Sequence, residues 1–182
     1  LFPYTTLFRS SVTLPDGREL KQFYYGSGHL LSIALDKLSV SDFTRDELHR
    51  ETSRTQGLLT TRSEYDRLGR LHRRDVFTGN AQRPSPRRWS RRWDYDYRNN
   101  LVREERDDNP FSWYRWHYRY DGEHRLTEVI SQPRDRNRPQ TQVSFRYDPL
   151  GRRISKTRRQ MLFGQPTGKP VTTRFVDRKS TR

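Results

Sequence analysis

The stretch Tyr65-Asp66-Arg67-Leu68-Gly69-Arg70-Leu71 decides the fold, because it joins the end of one strand, a turn signal and the start of the next strand. An aspartate carboxylate can accept hydrogen bonds from backbone groups two residues further along the chain, which starts a turn. Glycine three residues after the aspartate can adopt the left-handed conformation that reverses the chain. Arg70 and Leu71 then open the next strand, with the leucine directed inward. The stretch therefore predicts a β-hairpin turn.

The same pattern returns along the chain at irregular intervals on the order of 20–30 residues, which is typical of a repeat array with variable loops. His124 and Asn99 occupy the position of the glycine in two copies, and a poorer copy is expected between Asp42 and Leu48. The residues that we predict to carry the repeat are Tyr24, Gly28 and Leu30; Tyr65, Asp66, Gly69, Arg70 and Leu71; Tyr95, Asp96 and Leu101; Tyr120, Asp121, Arg125 and Leu126; and Tyr147, Asp148, Gly151 and Arg152.

The segments that precede these turns alternate as strands do. In Trp113 to Tyr120 the even positions are all aromatic and the odd positions mainly basic, and Gln142 to Tyr147 repeats the alternation. Pro15-Asp16-Gly17 adds a separate hairpin signal. Helical signals are weak, and Ser41 to Arg54 is the one stretch that could be helical. The pattern predicts an all-β fold, an array of β-hairpins forming a curved antiparallel sheet.

The composition favours a thin architecture with large, half-buried rings. Hydrophobic residues make up only 30% of the chain, yet it holds 10 Tyr, 9 Phe and 4 Trp, an aromatic content that argues against disorder. The net charge of +15 indicates nucleic acid, an anionic surface or an acidic protein as possible partners. The absence of cysteine excludes disulfides and thiolate metal sites. No apolar run approaches the ~20 residues that span a bilayer.

Both ends of the chain resemble translated sequencing adapters. Residues 1–10 follow the translation of one common adapter, and residues 177–182 follow the translation of its partner strand. We therefore expect two adapter-derived tails around a repeat segment at residues 11–176. The chain remains strongly basic when the charged residues of both tails are left out, so the basicity belongs to the repeat segment.

The repeated units resemble the YD repeats of the RHS family, which includes bacterial polymorphic toxins, insecticidal toxin-complex subunits and animal teneurins. The bacterial RHS proteins are resembled most by Phe23 to Leu30, Leu48-His49-Arg50-Glu51 and Arg54-Thr55-Gln56-Gly57. The resemblance implies a partial turn of a hollow cocoon wall that encapsulates a C-terminal toxin. It further implies a secreted or cell-surface effector, delivered by type VI secretion or contact-dependent competition. The implied partners are the rest of the shell, the toxin, secretion-apparatus proteins and an immunity protein.

One turn resembles a motif with catalytic consequences in that family. Asp148-Pro149-Leu150-Gly151 is similar to the DPxGL motif at which an aspartyl autoprotease separates the toxin. Arg152 stands where that motif has leucine, and Tyr147 makes the stretch an ordinary repeat turn. We interpret it as structural.

Two rival functions can be weighed from the residues. An enzyme needs a convergent group of side chains, but the five histidines have no HxxxH or HExxH spacing and the aspartates recur at one repeat position. We therefore expect no catalytic residues, no metal and no cofactor. The alternative is a basic, aromatic β-platform that binds nucleic acid or an acidic protein. Nucleic acid is the less favoured partner, because arginines can instead cover the rings and pair with carboxylates.

Overall fold

The computed structural model describes residues 7–79, 87–108, 112–135 and 137–175. In these residues every regular element is a β-strand. The strands are β1 (Leu7–Thr13), β2 (Glu19–Tyr25), β3 (His29–Leu35), β4 (Leu38–Arg45), β5 (Glu51–Gln56), β6 (Leu59–Tyr65), β7 (Leu71–Thr78), β8 (Arg87–Tyr95), β9 (Leu101–Asp108), β10 (Ser112–Tyr120), β11 (Leu126–Pro133), β12 (Gln140–Tyr147), β13 (Arg153–Leu162) and β14 (Gln165–Arg174).

The chain divides into two compact units, residues 1–90 and 91–182. Within each unit consecutive strands pair in antiparallel fashion, so that the strand order follows the chain. The register shifts by a β-bulge at the last residue of several strands, as between Glu64 and Tyr65 in β6 and between Arg119 and Tyr120 in β10. A bulge increases the local twist and re-aims the side chain next to it. The tyrosine before the aspartate of the repeat is therefore set apart from the ordinary alternation.

Little of the chain is fully buried. Val76, at 7% exposure, is the one fully buried hydrophobic residue in the described ranges, whereas Thr60 and Asp75 are buried polar residues. A sheet that is not covered by a second layer leaves its side chains partly open to water. Strand pairing and half-buried rings, rather than a central core, hold the described strands together.

The prediction of an all-β hairpin array is confirmed, and the hairpin predicted at Pro15-Asp16-Gly17 joins β1 to β2. Ser41 to Arg54, the one stretch with a weak helical signal, forms β4 and β5 with a turn between them. The poorer repeat copy was also misplaced, since its turn begins at Asp46. Asp42 lies inside β4, where its carboxylate accepts a 2.7 Å hydrogen bond from the Ser39 hydroxyl.

Two sequence expectations fall partly outside the described residues. These are the adapter-derived tails at residues 1–10 and 177–182, of which the structure describes the backbone from Leu7 onward as the start of β1. No helix in the described ranges is long and apolar enough to cross a membrane.

Candidate functional site: the aspartate turns

Five hairpins in the described ranges close with one arrangement, which we call the aspartate turn. Asp66 shows it fully: its backbone N–H donates to the Arg70 carbonyl at 2.9 Å, and its carbonyl accepts from Gly69 N at 2.9 Å. Oδ1 of Asp66 accepts from the backbone N–H groups of Leu68 and Arg70, both at 2.9 Å. Oδ2 accepts from Arg70 Nε at 2.7 Å. One side chain thus satisfies three donors that the reversal of the chain would otherwise leave to water.

The other four turns repeat these contacts. In each, Oδ1 accepts from the N–H groups two and four residues later at 2.8 to 3.0 Å. Oδ2 accepts at 2.7 Å from an arginine Nε, except in one turn, where Asn100 Nδ2 replaces the arginine at 3.0 Å. The five turns are Asp46–Arg50, Asp66–Arg70, Asp96–Asn100, Asp121–Arg125 and Asp148–Arg152.

The third residue after each aspartate has a left-handed backbone. Glycine supplies it at Gly69 and Gly151, with φ of 81° and 78°. His49, Asn99 and His124 adopt it with φ between 60° and 66°. Non-glycine residues are uncommon in this region, although Asn and His are enriched among those that enter it. The sequence pattern had assigned Asn99 and His124 to this position, but it had not assigned His49.

The tyrosine before the aspartate connects each turn to the turn before it. The Tyr65 hydroxyl donates to the Glu51 carbonyl at 2.9 Å, immediately after the Asp46 turn. Tyr120 donates to the Leu101 carbonyl at 3.0 Å, and Tyr147 donates to the Leu126 carbonyl at 2.8 Å. In each of these three cases the acceptor is the first residue after the preceding turn. In these three cases one tyrosine hydrogen bond therefore joins a turn to the turn before it.

Arg45 replaces the tyrosine ahead of Asp46 and makes the equivalent connection. Its Nη2 and Nε donate to the Leu30 carbonyl at 3.3 and 3.4 Å, and its Nη1 donates to the His49 carbonyl at 3.1 Å. Leu30 follows the reversal at Tyr25 to Gly28, where Gly28 has φ of 104° and donates to the Tyr25 carbonyl at 3.3 Å. This reversal is the predicted repeat copy with Tyr24, Gly28 and Leu30. It has no aspartate.

The last residue of one turn also packs against the next turn, at the third residue after the aspartate. A Cβ atom added to Gly69 would lie 3.2 Å from Arg50 Nη1, and one added to Gly151 would lie 3.9 Å from Arg125 Nη1. Arg50 and Arg125 also stack over the rings of the next tyrosines, Tyr65 and Tyr147, at 4.7 and 5.4 Å.

Where the arginine is absent, a histidine fills the space. Asn100 ends one turn, and its Oδ1 lies 3.1 Å from Nδ1 of His124 in the next. His29 occupies the arginine position of the reversal at Tyr25 to Gly28. Its ring stacks on that of His49 in the next turn, with ring centroids 4.0 Å apart. In these four pairs an arginine lies against a glycine, and a side chain shorter than arginine lies against a histidine. Sequence reasoning missed this pairing, which a comparison of position four in one copy with position three in the next would have revealed.

The turn contacts lower the pKa of the aspartates. For Asp121 the side-chain hydrogen bond from Arg125 contributes most to the lowered pKa, followed by the Arg125 backbone N–H. For Asp148 the backbone N–H of Arg152 contributes most to the lowered pKa. Burial alone would raise the pKa of Asp66, but the hydrogen bonds from Arg70 and Leu68 together outweigh it and lower the pKa. The turns therefore hold ionised carboxylates.

These contacts bear on the rival interpretation of Asp148. Its oxygens accept hydrogen bonds from Leu150 N, Arg152 N and Arg152 Nε, in the same way as the four other turns. A catalytic aspartic acid of a protease needs a partner carboxylate that shares a proton with it, a state in which the pKa of one of the two carboxyls is raised. The lowered pKa of Asp148 and its arginine contact favour the opposite state. In the described part of the chain, no group of three His, Asp or Glu residues is placed to hold a metal ion.

Arginines cover several of the half-buried rings. Arg45 and Arg54 lie over Phe43 at 5.8 and 5.1 Å, and Arg153 lies over Phe145 at 4.5 Å. Arg115 lies 5.0 Å from the Trp113 ring and also contacts Glu105 at 2.7 Å. Rings that carry a guanidinium on one face offer less surface for stacking bases.

Comparison with known proteins gives relatives in structure and in sequence. The structural relatives include a chain of the Tc holotoxin pore of Photorhabdus luminescens, which aligns over 90% of this chain with a TM-score of 0.65 and 15% sequence identity. The two chains share a fold. The fold expected from the resemblance is therefore confirmed, although the present chain covers only 9% of that toxin chain.

The sequence relative is more closely similar over a shorter stretch. Sixty residues, 33% of the chain, are 55% identical to Double-stranded DNA deaminase toxin A of Burkholderia cenocepacia strain H111. The chain covers 4% of the length of that toxin. No family model matches the chain.

Proposed function

We propose that residues 11–176 form a structural segment of an RHS-type shell, in which the complete protein encapsulates a C-terminal toxin. The observation that supports this most directly is the series of aspartate turns connected by tyrosine hydrogen bonds. At Asp66, Asp121 and Asp148 the carboxylate and the arginine close the turn, and the tyrosine before the aspartate contacts the preceding turn. Such side chains build a wall and perform no catalysis.

The comparisons support the same assignment from two directions. A fold shared with a Tc holotoxin chain and a 55% identical stretch in a bacterial deaminase toxin both connect the segment with toxins. Both proteins are far longer than this chain, which fits a segment within a large shell. The toxin domain, secretion-apparatus proteins and an immunity protein are the partners that this proposal implies, with a secreted or cell-delivered location.

The experiment is limited proteolysis of the complete protein that contains this segment. A shell predicts that the C-terminal region resists protease in the native protein and is cut once urea opens the wall. The matched variant is Asp66→Ala combined with Asp121→Ala, which removes one aspartate turn from each unit and should expose the C-terminal region at lower urea. Cleavage of the C-terminal region as fast in the native wild-type protein as in urea would contradict encapsulation.

The nucleic-acid platform is the less supported function. Its basis is the net charge of +15, but the arginines at Trp113 and Phe145 cover the rings that would stack on bases. Much of the excess charge lies elsewhere, in residues 140–175, which hold eight lysines and arginines and one acidic residue.

A further inference from the structure

Two histidines connect the reversal at Tyr25 to Gly28 with the Asp46 turn. His29, the first residue of β3, stacks on His49 with the ring centroids 4.0 Å apart and an interplanar angle of 11°. The Tyr25 ring lies beside both imidazoles, with centroid distances of 5.6 Å to His29 and 5.9 Å to His49. We call this cluster of Tyr25, His29 and His49 the histidine joint.

Side chains, and not the β-ladder, make this connection. The pairing of β3 with β4 begins at Ser32, opposite Asp42, and runs away from the reversal. Nearer the reversal the two strands are connected by the histidine joint and by Arg45, which donates to the Leu30 carbonyl at 3.3 Å. A contact made by side chains can open locally while the ladder beyond it stays paired.

The surroundings of the joint disfavour a protonated imidazole. Arg45 carries a positive charge and donates to the His49 carbonyl at 3.1 Å. The hydroxyl oxygens of Tyr25 and Ser27, which lie 3.3 and 3.4 Å from the nearest histidine nitrogens, carry no charge. Partial burial lowers the pKa of His29, and the charges of His49 and Arg45 lower it further. The closed joint therefore holds His29 in its neutral form.

The carboxylates of the Asp46 turn do not compensate for these positive charges. Asp46 accepts hydrogen bonds from the backbone N–H groups of Leu48 and Arg50, and it pairs with the Arg50 side chain at 2.7 Å. Glu47 lies at an exposed position of the same turn. Among the described residues, no carboxylate offsets the lowered pKa of His29. Two protonated rings with centroids 4.0 Å apart would therefore repel each other without a counter-charge.

The histidine of a later turn has the opposite surroundings. Nδ1 of His124 lies 3.1 Å from Asn100 Oδ1, which can accept a hydrogen bond from a protonated ring as well as from a neutral one. Burial would raise the pKa of Asp96, but hydrogen bonds from Asn100 and Arg98, and then the charge of His124, lower it. A protonated His124 is thus accommodated in its turn. The contacts between an arginine and a glycine contain no group that titrates near neutral pH.

We infer that the histidine joint is a pH-sensitive contact, which opens in mildly acidic solution while the Asp46 turn and the contact of Asn100 with His124 stay in place. The reversal at Tyr25 to Gly28 would then be released from the Asp46 turn. This inference goes beyond the proposed function, because it concerns a contact within the chain and holds whether or not the complete protein encloses a toxin.

The direction of the effect follows from proton binding. A histidine exposed in the open joint has its ordinary pKa near 6.5, whereas the pKa of His29 is lowered in the closed joint. The open form therefore binds more protons, so the closed form is fully favoured above about pH 6.5 and loses stability as the pH falls below that value. Burial would raise the pKa of Asp46, but its contacts with Arg50 and Leu48 lower it. The Asp46 turn thus keeps its ionised carboxylate in mild acid.

The test is nuclear magnetic resonance of the 182-residue chain, with labelled histidine and asparagine, from about pH 7.5 to about pH 5.5. The nuclear Overhauser contact between the rings of His29 and His49 should be present at the higher pH and lost at the lower pH, while the contact of His124 with Asn100 persists. In His49→Asn, which keeps a residue type suited to positive φ, the titration of His29 should move up toward the ordinary value. In the control His124→Asn it should not move.

Three results would overturn the inference. The first is a contact between the rings of His29 and His49 that is absent at the higher pH or persists at the lower pH. The second is loss of this contact together with that of His124 and Asn100 over the same pH range, which would indicate a general response of the chain to acid. The third is the same titration of His29 in wild type and in His49→Asn. The first two are measured on the wild-type chain, so they do not depend on the folding of a variant.

Discussion

The turn at Asp66 and the turn at Asp121 have the same backbone hydrogen bonds and different neighbours. At Asp66 the left-handed position is Gly69, which lies against the guanidinium of Arg50 from the preceding turn. At Asp121 the same position is His124, whose ring meets the shorter Asn100 from the preceding turn. The backbone is therefore set by the aspartate, whereas the side chain at the third position is set by the turn before it.

This difference teaches that the repeat is defined over two adjacent copies. Within a single copy, histidine at a left-handed position looks unfavourable, since glycine adopts that conformation at lower cost. Across two copies it occupies the space that an arginine would fill. Predictions about the turns can therefore separate what the aspartate contributes within a copy from what the neighbours contribute between copies.

Acid should disrupt all the aspartate turns together, and we expect the largest effect here. The pKa of Asp46, Asp66, Asp96, Asp121 and Asp148 is lowered in the folded chain. The unfolded chain then binds more protons, so the stabilisation is complete above the unfolded pKa near 4 and is lost as pH falls through the folded pKa. Urea midpoints measured from pH 7 to pH 2 should fall below about pH 4. A flat profile would contradict the role of the carboxylates.

Removal of one carboxylate should have the next largest effect, and it should be similar in the two turns. Asp66→Ala and Asp121→Ala each leave two backbone N–H groups and one arginine without their acceptor. We expect the folded-to-unfolded ratio to decrease about tenfold or more in each. Urea unfolding measures this ratio, and the matched control is Glu47→Ala, which removes an exposed carboxylate next to Asp46. Very different losses in the two turns would show that neighbours, and not the aspartate, set the backbone.

Replacing glycine by alanine should destabilise the two turns that have an arginine neighbour by different amounts. Gly69→Ala and Gly151→Ala both place a Cβ at positive φ, which costs about 1–2 kcal/mol. The added Cβ would also lie 3.2 Å from Arg50 Nη1 at Gly69 but 3.9 Å from Arg125 Nη1 at Gly151. We therefore expect Gly69→Ala to reduce the free energy of unfolding more, and Arg50→Ala to remove the difference. Equal losses with Arg50 present would contradict the contact.

Much of this could be predicted from the sequence, because the turn is a local device. The carboxylate contacts span four residues, so Asp66 to Arg70 already contains them, and the left-handed position follows from the spacing. The Tyr65 contact with Glu51 and the packing of His124 on Asn100 could not be predicted in this way. They join residues 14 and 24 positions apart, and they depend on how neighbouring hairpins align. The Asp42 error has a different origin, since Asp46 and Arg50 keep the spacing of the repeat but Arg45 replaces the tyrosine that marks the other copies.

The hydrogen bond from the repeat tyrosine should contribute less to the free energy of unfolding than the carboxylate does. Tyr147→Phe removes the hydrogen bond to the Leu126 carbonyl at 2.8 Å and keeps the ring under Arg125. We expect a loss of about 1 kcal/mol in the free energy of unfolding. Tyr97→Phe is the control, because the Tyr97 side chain is 85% exposed. A loss no greater than that of the control would mean that the ring alone connects the two turns.

The smallest effect, and the most direct test of the comparison, is an exchange of neighbours. Asn100→Arg with His124→Gly converts the Asp121 turn to the pairing found at Asp66. Each single substitution should be unfavourable relative to the pair, since the longer arginine side chain would meet the His124 ring, and loss of that ring would leave a gap beside Asn100. A double-mutant cycle should give a favourable coupling of about 0.5–1 kcal/mol. Because the two side chains are in contact at 3.1 Å, additive effects would show that the pairing across copies has no energetic content.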